Sequence, residues 1–82
     1  MKDFILYLVQ NIVQNPTSVQ IEEDIIEQYG RPTKIYTIRT HQDDIKLIIG
    51  KRGATINSLR NICKLKAFKA KEFIDLKVAD SY

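Results

Sequence analysis

Ile48-Ile49-Gly50-Lys51-Arg52-Gly53 is the stretch on which the reading of this 82-residue chain turns. An apolar pair leads into a four-residue turn with glycine at both ends, and apolar positions at helical spacing flank it on each side. Glycine has no Cβ, so another backbone can approach the main chain closely there. The helix that starts after Gly53 offers unpaired N–H groups and the positive end of its dipole, a natural seat for anionic oxygen. Lys51 and Arg52 add two cations at the tip.

Upstream of the loop, Asp43 or Asp44 is expected to cap a helix of about two turns carrying Ile45, Ile48 and Ile49, which Gly50 stops. Before it, the branched and aromatic run from Ile35 to Thr40 predicts a strand. The turn signal Tyr29-Gly30-Arg31-Pro32 joins that strand to an earlier one, in which Val19, Ile21, Glu23 and Ile25 share a face. The two strands should pair as a hairpin. At the start of the chain Phe4, Ile5, Leu8, Val9, Ile12 and Val13 recur every three or four residues, predicting a helix from Lys2 to Gln14 that Asn15-Pro16 ends.

Downstream, Ile56, Leu59, Ile62, Cys63, Ala67 and Ala70 predict a helix from Ala54 to Lys69, with Arg60, Lys64 and Lys71 on its other side. Phe73, Ile74, Leu76 and Val78 form a closing strand interleaved with Asp75 and Lys77. The order is α-β-β-α-α-β. The strand–helix–helix–strand crossover should make its two strands parallel. The expected fold class is α+β: one domain over residues 1–82, a three-stranded mixed sheet with three helices on one face.

Charge is distributed unevenly. Residues 1–30 carry −4 and residues 31–82 carry +7, and from Lys46 to Lys71 eight bases stand with no acid. A charge run alone is ordinarily a solvated helix face, but this one encloses the glycine loop and is suited to a polyanion. No apolar run approaches the roughly 18 residues that span a bilayer, and the N-terminal stretch lacks the cleavage site of a signal peptide. Cys63 is the single cysteine, which rules out an internal disulfide and a multi-cysteine metal site. A cytoplasmic protein that needs no metal or cofactor is the expectation.

The apolar-Ile-Gly-x-x-Gly stretch between two helices, set in this element order, resembles the KH domains of type II topology. It looks closest to the small single-KH bacterial RNA-binding proteins of the KhpA type, over essentially the whole chain. The amphipathic opening helix from Phe4 to Val13, the acidic first strand and the Asp43-Asp44 pair fit that subfamily. One departure is Ala54, where many of these proteins place a base directly after the second loop glycine; this chain has Arg52 inside the loop instead.

The resemblance implies a groove between the two loop-flanking helices and the adjacent sheet edge, holding about four nucleotides of single-stranded RNA. Gly50, Lys51, Arg52 and Gly53 would clamp the backbone, with Ile45, Ile48, Ile49 and Ile56 as candidates for an apolar groove floor, a core role being the alternative for Ile45 and Ile56. Lys46, Arg60 and Lys64 are the further cations assigned to the RNA. No enzymatic activity is implied; the role would be that of an RNA chaperone or regulator. A homodimer, or a heterodimer with another KH-containing RNA-binding protein, would compensate for the few contacts one clamp can make. The alternative is a protein-interaction module that keeps the fold to dock a partner.

Three kinds of residue invite other chemistry. His41, with Asp43 and Asp44 nearby, is too poor a ligand set for a metal and reads as a solvated turn, the acids as helix caps. Cys63 falls in an apolar helix register with no base placed to activate it. Tyr7, Tyr29, Tyr36 and Tyr82 are scattered rather than grouped as on an RNA-reading sheet, and read as packing residues.

Overall fold

The computed structural model describes residues 1–79, so Tyr82 lies outside the described residues. Helix α1 spans Lys2–Gln10, strand β1 Gln20–Gln28, strand β2 Arg31–Arg39, helix α2 Ile45–Ile49, helix α3 Ala54–Lys69 and strand β3 Ile74–Val78. Short 3-10 turns at Pro16–Ser18, Gln42–Asp44 and Lys51–Gly53 connect them. This is the expected α-β-β-α-α-β order. The sheet runs β1-β2-β3, with β1 antiparallel and β3 parallel to β2.

The core is where the helices meet the sheet. Ile5 and Val9 of α1, Ile48 of α2, and Ile56, Leu59, Cys63 and Ala67 of α3 close over Ile21, Tyr36, Ile38, Ile74 and Leu76 of the sheet. Tyr36 is the largest side chain fully enclosed; burial, with Glu23 and Glu72 beside it, pushes its phenol up to about 12. Burial likewise pushes the Cys63 thiol up, against a small opposing effect of the N-terminal amine. A thiol so held is protonated at neutral pH and inert.

Helix α1 ends four residues before the expected Gln14. Asn11 turns its side chain back and donates to Tyr7 O at 2.7 Å, while the amides of Gln14 and Asn15 leave the helical ladder for Asp44. Asp44 is the second departure. Expected as an exposed helix cap, it is fully buried and makes no cap hydrogen bond to α2. Its Oδ1 accepts from Gln14 N at 3.1 Å, and its Oδ2 accepts from Asn15 N and Asn15 Nδ2, each at 3.0 Å. The carboxylate therefore fastens the α1–β1 connection to the turn that leads into α2. Capping at that turn falls to His41, whose Nδ1 accepts from Asp43 N at 3.1 Å.

The hairpin is longer than the sequence reading, since β2 begins at Arg31 rather than Ile35. Tyr29 and Gly30 both have positive φ, 55° and 75°, the geometry of a two-residue hairpin turn whose twist matches its strands. Pro32 is accommodated because it faces Glu27 in a pair that exchanges no hydrogen bonds with β1, and β3 pairing starts only at Lys34. The outer half of this arm extends past the helices, leaving Ile25 59% exposed although it shares a face with buried Ile21.

Candidate nucleic-acid interface

The loop between α2 and α3 adopts the backbone its glycines anticipate. Gly50 sits at φ 74°, ψ 177°, in a region only glycine populates readily, and Gly53 at φ 78°, ψ 12° in the left-handed region. Arg52 between them is also left-handed, at φ 57°, ψ 29°. Three of the four loop residues thus have positive φ, which folds the turn back on itself. Gly50 N donates to Lys46 O at 2.8 Å, closing α2, and Gly53 N donates to Gly50 O at 3.2 Å, closing the loop.

Helix α3 starts directly from this turn with Gly53 as its N-cap, and no side chain caps its first amides. Lys51 and Arg52 are exposed, and no carboxylate among the described residues pairs with either. Two exposed cations and the positive end of a sixteen-residue helix converge on one turn. Lys46, one turn back on α2, is exposed as well.

The remaining expected residues divide into two places. Ile49 is 37% exposed beside the loop, and Leu47, which the sequence reading omitted, is 40% exposed on the same short helix. Ile48, expected at the groove, is fully buried, and Ile56 is nearly so, at 6% exposed. Both belong to the core, Ile48 as the inward-turned residue of short α2 and Ile56 in line with Leu59 and Cys63 on the inner face of α3.

Arg60 and Lys64 lie farther along α3, on the side facing β3. Arg60 Nε donates to Leu76 O at 3.0 Å, and Asp75 Oδ1 lies 3.7 Å from Arg60 Nε and 3.9 Å from Lys64 Nζ. The ladder explains this contact. Phe73 O accepts from Lys34 N and Ala79 N donates to Ile38 O, so odd-numbered residues of β3 face β2 and both peptide groups of Leu76 face the open edge. Asp75 Oδ1 takes Leu76 N–H at 2.8 Å and Arg60 takes the carbonyl. These contacts join the side of α3 to the edge of β3. Nothing local in the sequence marks Asp75 and Leu76 for this contact: the alternation of Asp75 with apolar neighbours signals a strand but not which of its edges stays open.

Residues 2–78 match the family model described as KhpA/KhpB, KH domain. The chain belongs to that family. A Chlamydia caviae member named RNA-binding protein KhpA is 40% identical over 62 residues, covering 76% of this chain and 74% of the relative. A Thermotoga maritima protein of the same name is 32% identical over 78 residues, covering 95% of this chain and 97% of the relative. Among solved structures, a crystal structure of Aquifex aeolicus Era superposes with a TM-score of 0.71 at 14% identity, covering 95% of this chain but only 30% of the Era chain. That likeness is one of fold. The KhpA/KhpB match places the Gly50–Gly53 turn inside a KH domain.

Proposed function

We propose that this protein binds single-stranded RNA, acting in the cytoplasm as an RNA chaperone or regulator and not as an enzyme. The observation that carries this reading is the Gly50–Gly53 turn: three positive-φ positions, two cations without carboxylate partners among the described residues, and an uncapped helix N-terminus. Phosphates pass across Lys51 and Arg52, and the strand continues along the side of α3 that carries Arg60 and Lys64. The names of the Chlamydia caviae and Thermotoga maritima relatives support the same ligand.

Contacts of this kind hold backbone more than they read sequence, and one clamp of about four nucleotides gives modest affinity. The protein therefore works paired, as a homodimer or with another KH-containing RNA-binding protein, so that two clamps share one strand. Binding rather than catalysis is supported by the inert Cys63 and by a titratable inventory engaged in structural contacts: Asp44 in a backbone clasp, His41 in a cap, Asp75 at the sheet edge.

The test is titration of a labelled single-stranded RNA at increasing salt. If three or four phosphates are neutralised, the log–log slope is about −2 to −3, because each contact on a single strand releases about 0.7 counterion. An affinity that does not change with salt would reject the electrostatic clamp and favour a protein-docking role for the fold.

A further inference from the structure

The far end of α3 carries a surface that neither the core nor the glycine loop uses. Phe68 is 74% exposed, Tyr29 at the hairpin tip 89% and Phe73 before β3 47%. These three aromatics line one open cleft of about 550 Å³ together with Arg31 and Lys64. Arg31 stacks over the Phe73 ring at 4.3 Å from its centre. The two acids at the rim are balanced, Glu72 by Lys34 at 3.5 Å and Asp75 by Lys64 and Arg60.

The backbone at this end is costly to maintain with these side chains. Tyr29, at φ 55°, occupies a turn position that asparagine or glycine fills most readily. Lys71 ends α3 at φ 60°, its N–H bonded to Phe68 O and that of Glu72 to Ala67 O, a helix stop where glycine is the usual residue. With Arg52, these are the non-glycine residues of positive φ among those described, and each is an aromatic or a base.

Arg60, Lys64 and Phe68 stand four residues apart, so they form one line along the helix surface. That line leads from the glycine loop toward the cleft, about 22 Å away at helical rise. A basic track ending in exposed aromatic faces is the arrangement by which proteins hold single strands, cations following phosphates and rings stacking bases.

We propose that the cleft between Tyr29, Phe68 and Phe73 is a second nucleic-acid subsite, stacking bases of the same strand whose backbone the Gly50–Gly53 loop clamps. The proposal deepens the RNA-binding reading and rests on it. Its ligand is a single strand longer than the four nucleotides of the clamp, with Arg60 and Lys64 bridging the two ends.

The test titrates labelled oligouridylates of four and twelve nucleotides with the wild-type protein, with the Tyr29→Ala/Phe68→Ala variant and with the Lys51→Asp/Arg52→Asp variant. Loss of stacking should weaken the twelve-mer by about tenfold or more while leaving the four-mer within about twofold; the loop variant should lose both. In parallel, a twelve-mer carrying 4-thiouridine is photo-crosslinked to the wild-type protein and mapped by mass spectrometry, which does not depend on the variants folding. Adducts at Tyr29, Phe68 or Phe73 are expected. Unchanged twelve-mer affinity in the aromatic variant, with adducts confined to α2 and the loop, would overturn the subsite and leave the clamp standing. If the wild-type chain binds neither oligonucleotide, the RNA-binding reading itself fails. Sedimentation showing that the aromatic variant turns a dimer into a monomer, with RNA bound per chain unchanged, would assign the cleft to a second copy and overturn the proposal.

Discussion

Thr55 occupies the space that a side chain on Gly50 would need. A Cβ built on Gly50 would stand 2.7 Å from Thr55 Cβ and 2.8 Å from Thr55 N, closer than atoms can pack. The first turn of α3 is seated directly on the Gly50 backbone. On Gly53 a Cβ meets only Asn57 Nδ2 at 3.7 Å and Ile56 Cγ2 at 3.9 Å, which is ordinary contact.

The two glycines should therefore respond differently to substitution. Gly50→Ala combines steric overlap with a backbone conformation costing about 1–3 kcal/mol for other residues, and should destabilise by about 3 kcal/mol or more. Gly53→Ala meets only the left-handed penalty, about 1–2 kcal/mol. Urea denaturation of both variants checks the order; equal losses would mean that Thr55 is not the constraint.

Arg52 holds a left-handed conformation at a cost glycine would not incur. Arg52→Gly should raise stability by up to about 1 kcal/mol, the strain relieved being partly offset by the greater entropy of unfolded glycine. The same change removes a cation from the phosphate path and should weaken RNA binding about tenfold. Paired melting and titration would show the two effects moving in opposite directions, the mark of a residue placed for function at the expense of the fold.

Asp44 makes stability depend on acid. Burial by itself would raise its pKa, but hydrogen bonds from the Asn15 side chain and from the backbone N–H groups of Gln14 and Asn15, with His41 nearby, hold it below the usual carboxylate range. A carboxyl group whose folded pKa lies below its unfolded value of about 3.9 stabilises the fold above that value. That contribution is lost as pH falls through the folded pKa. The melting temperature should therefore fall on acidification below about pH 4. Asp44→Asn should melt lower at pH 7, because its NH2 group faces donors, and should lose less between pH 5 and pH 2. Thermal melts across that range measure both.

The element order, the parallel crossover and the glycine loop were legible because each has a local signature: helical spacing, alternation, turn chemistry. Asp44 was misread because a cap and a buried clasp look alike in sequence. Only the return of Gln14 and Asn15, about thirty residues away along the chain, distinguishes them. Ile48 and Ile49 were assigned alike because adjacent residues on a five-residue helix diverge by a rotation that composition does not reveal. The aromatic cleft was missed for a related reason. Tyr29, Phe68 and Phe73 are distant in sequence and meet because the hairpin overhangs the end of α3.

The loop itself carries the central claim, and the Lys51→Asp/Arg52→Asp variant tests it most directly. Both side chains are exposed, and Asp tolerates the left-handed backbone at position 52, so circular dichroism and melting should stay within about 0.5 kcal/mol of wild type. Reversing two charges within a few ångströms of phosphate shifts each contact by about 1 kcal/mol or more at partly screened sites. Titration of a labelled single-stranded RNA should accordingly show affinity falling by about a hundredfold or more. A folded variant that binds RNA as tightly as the wild-type protein would contradict the account and place the RNA elsewhere on the molecule.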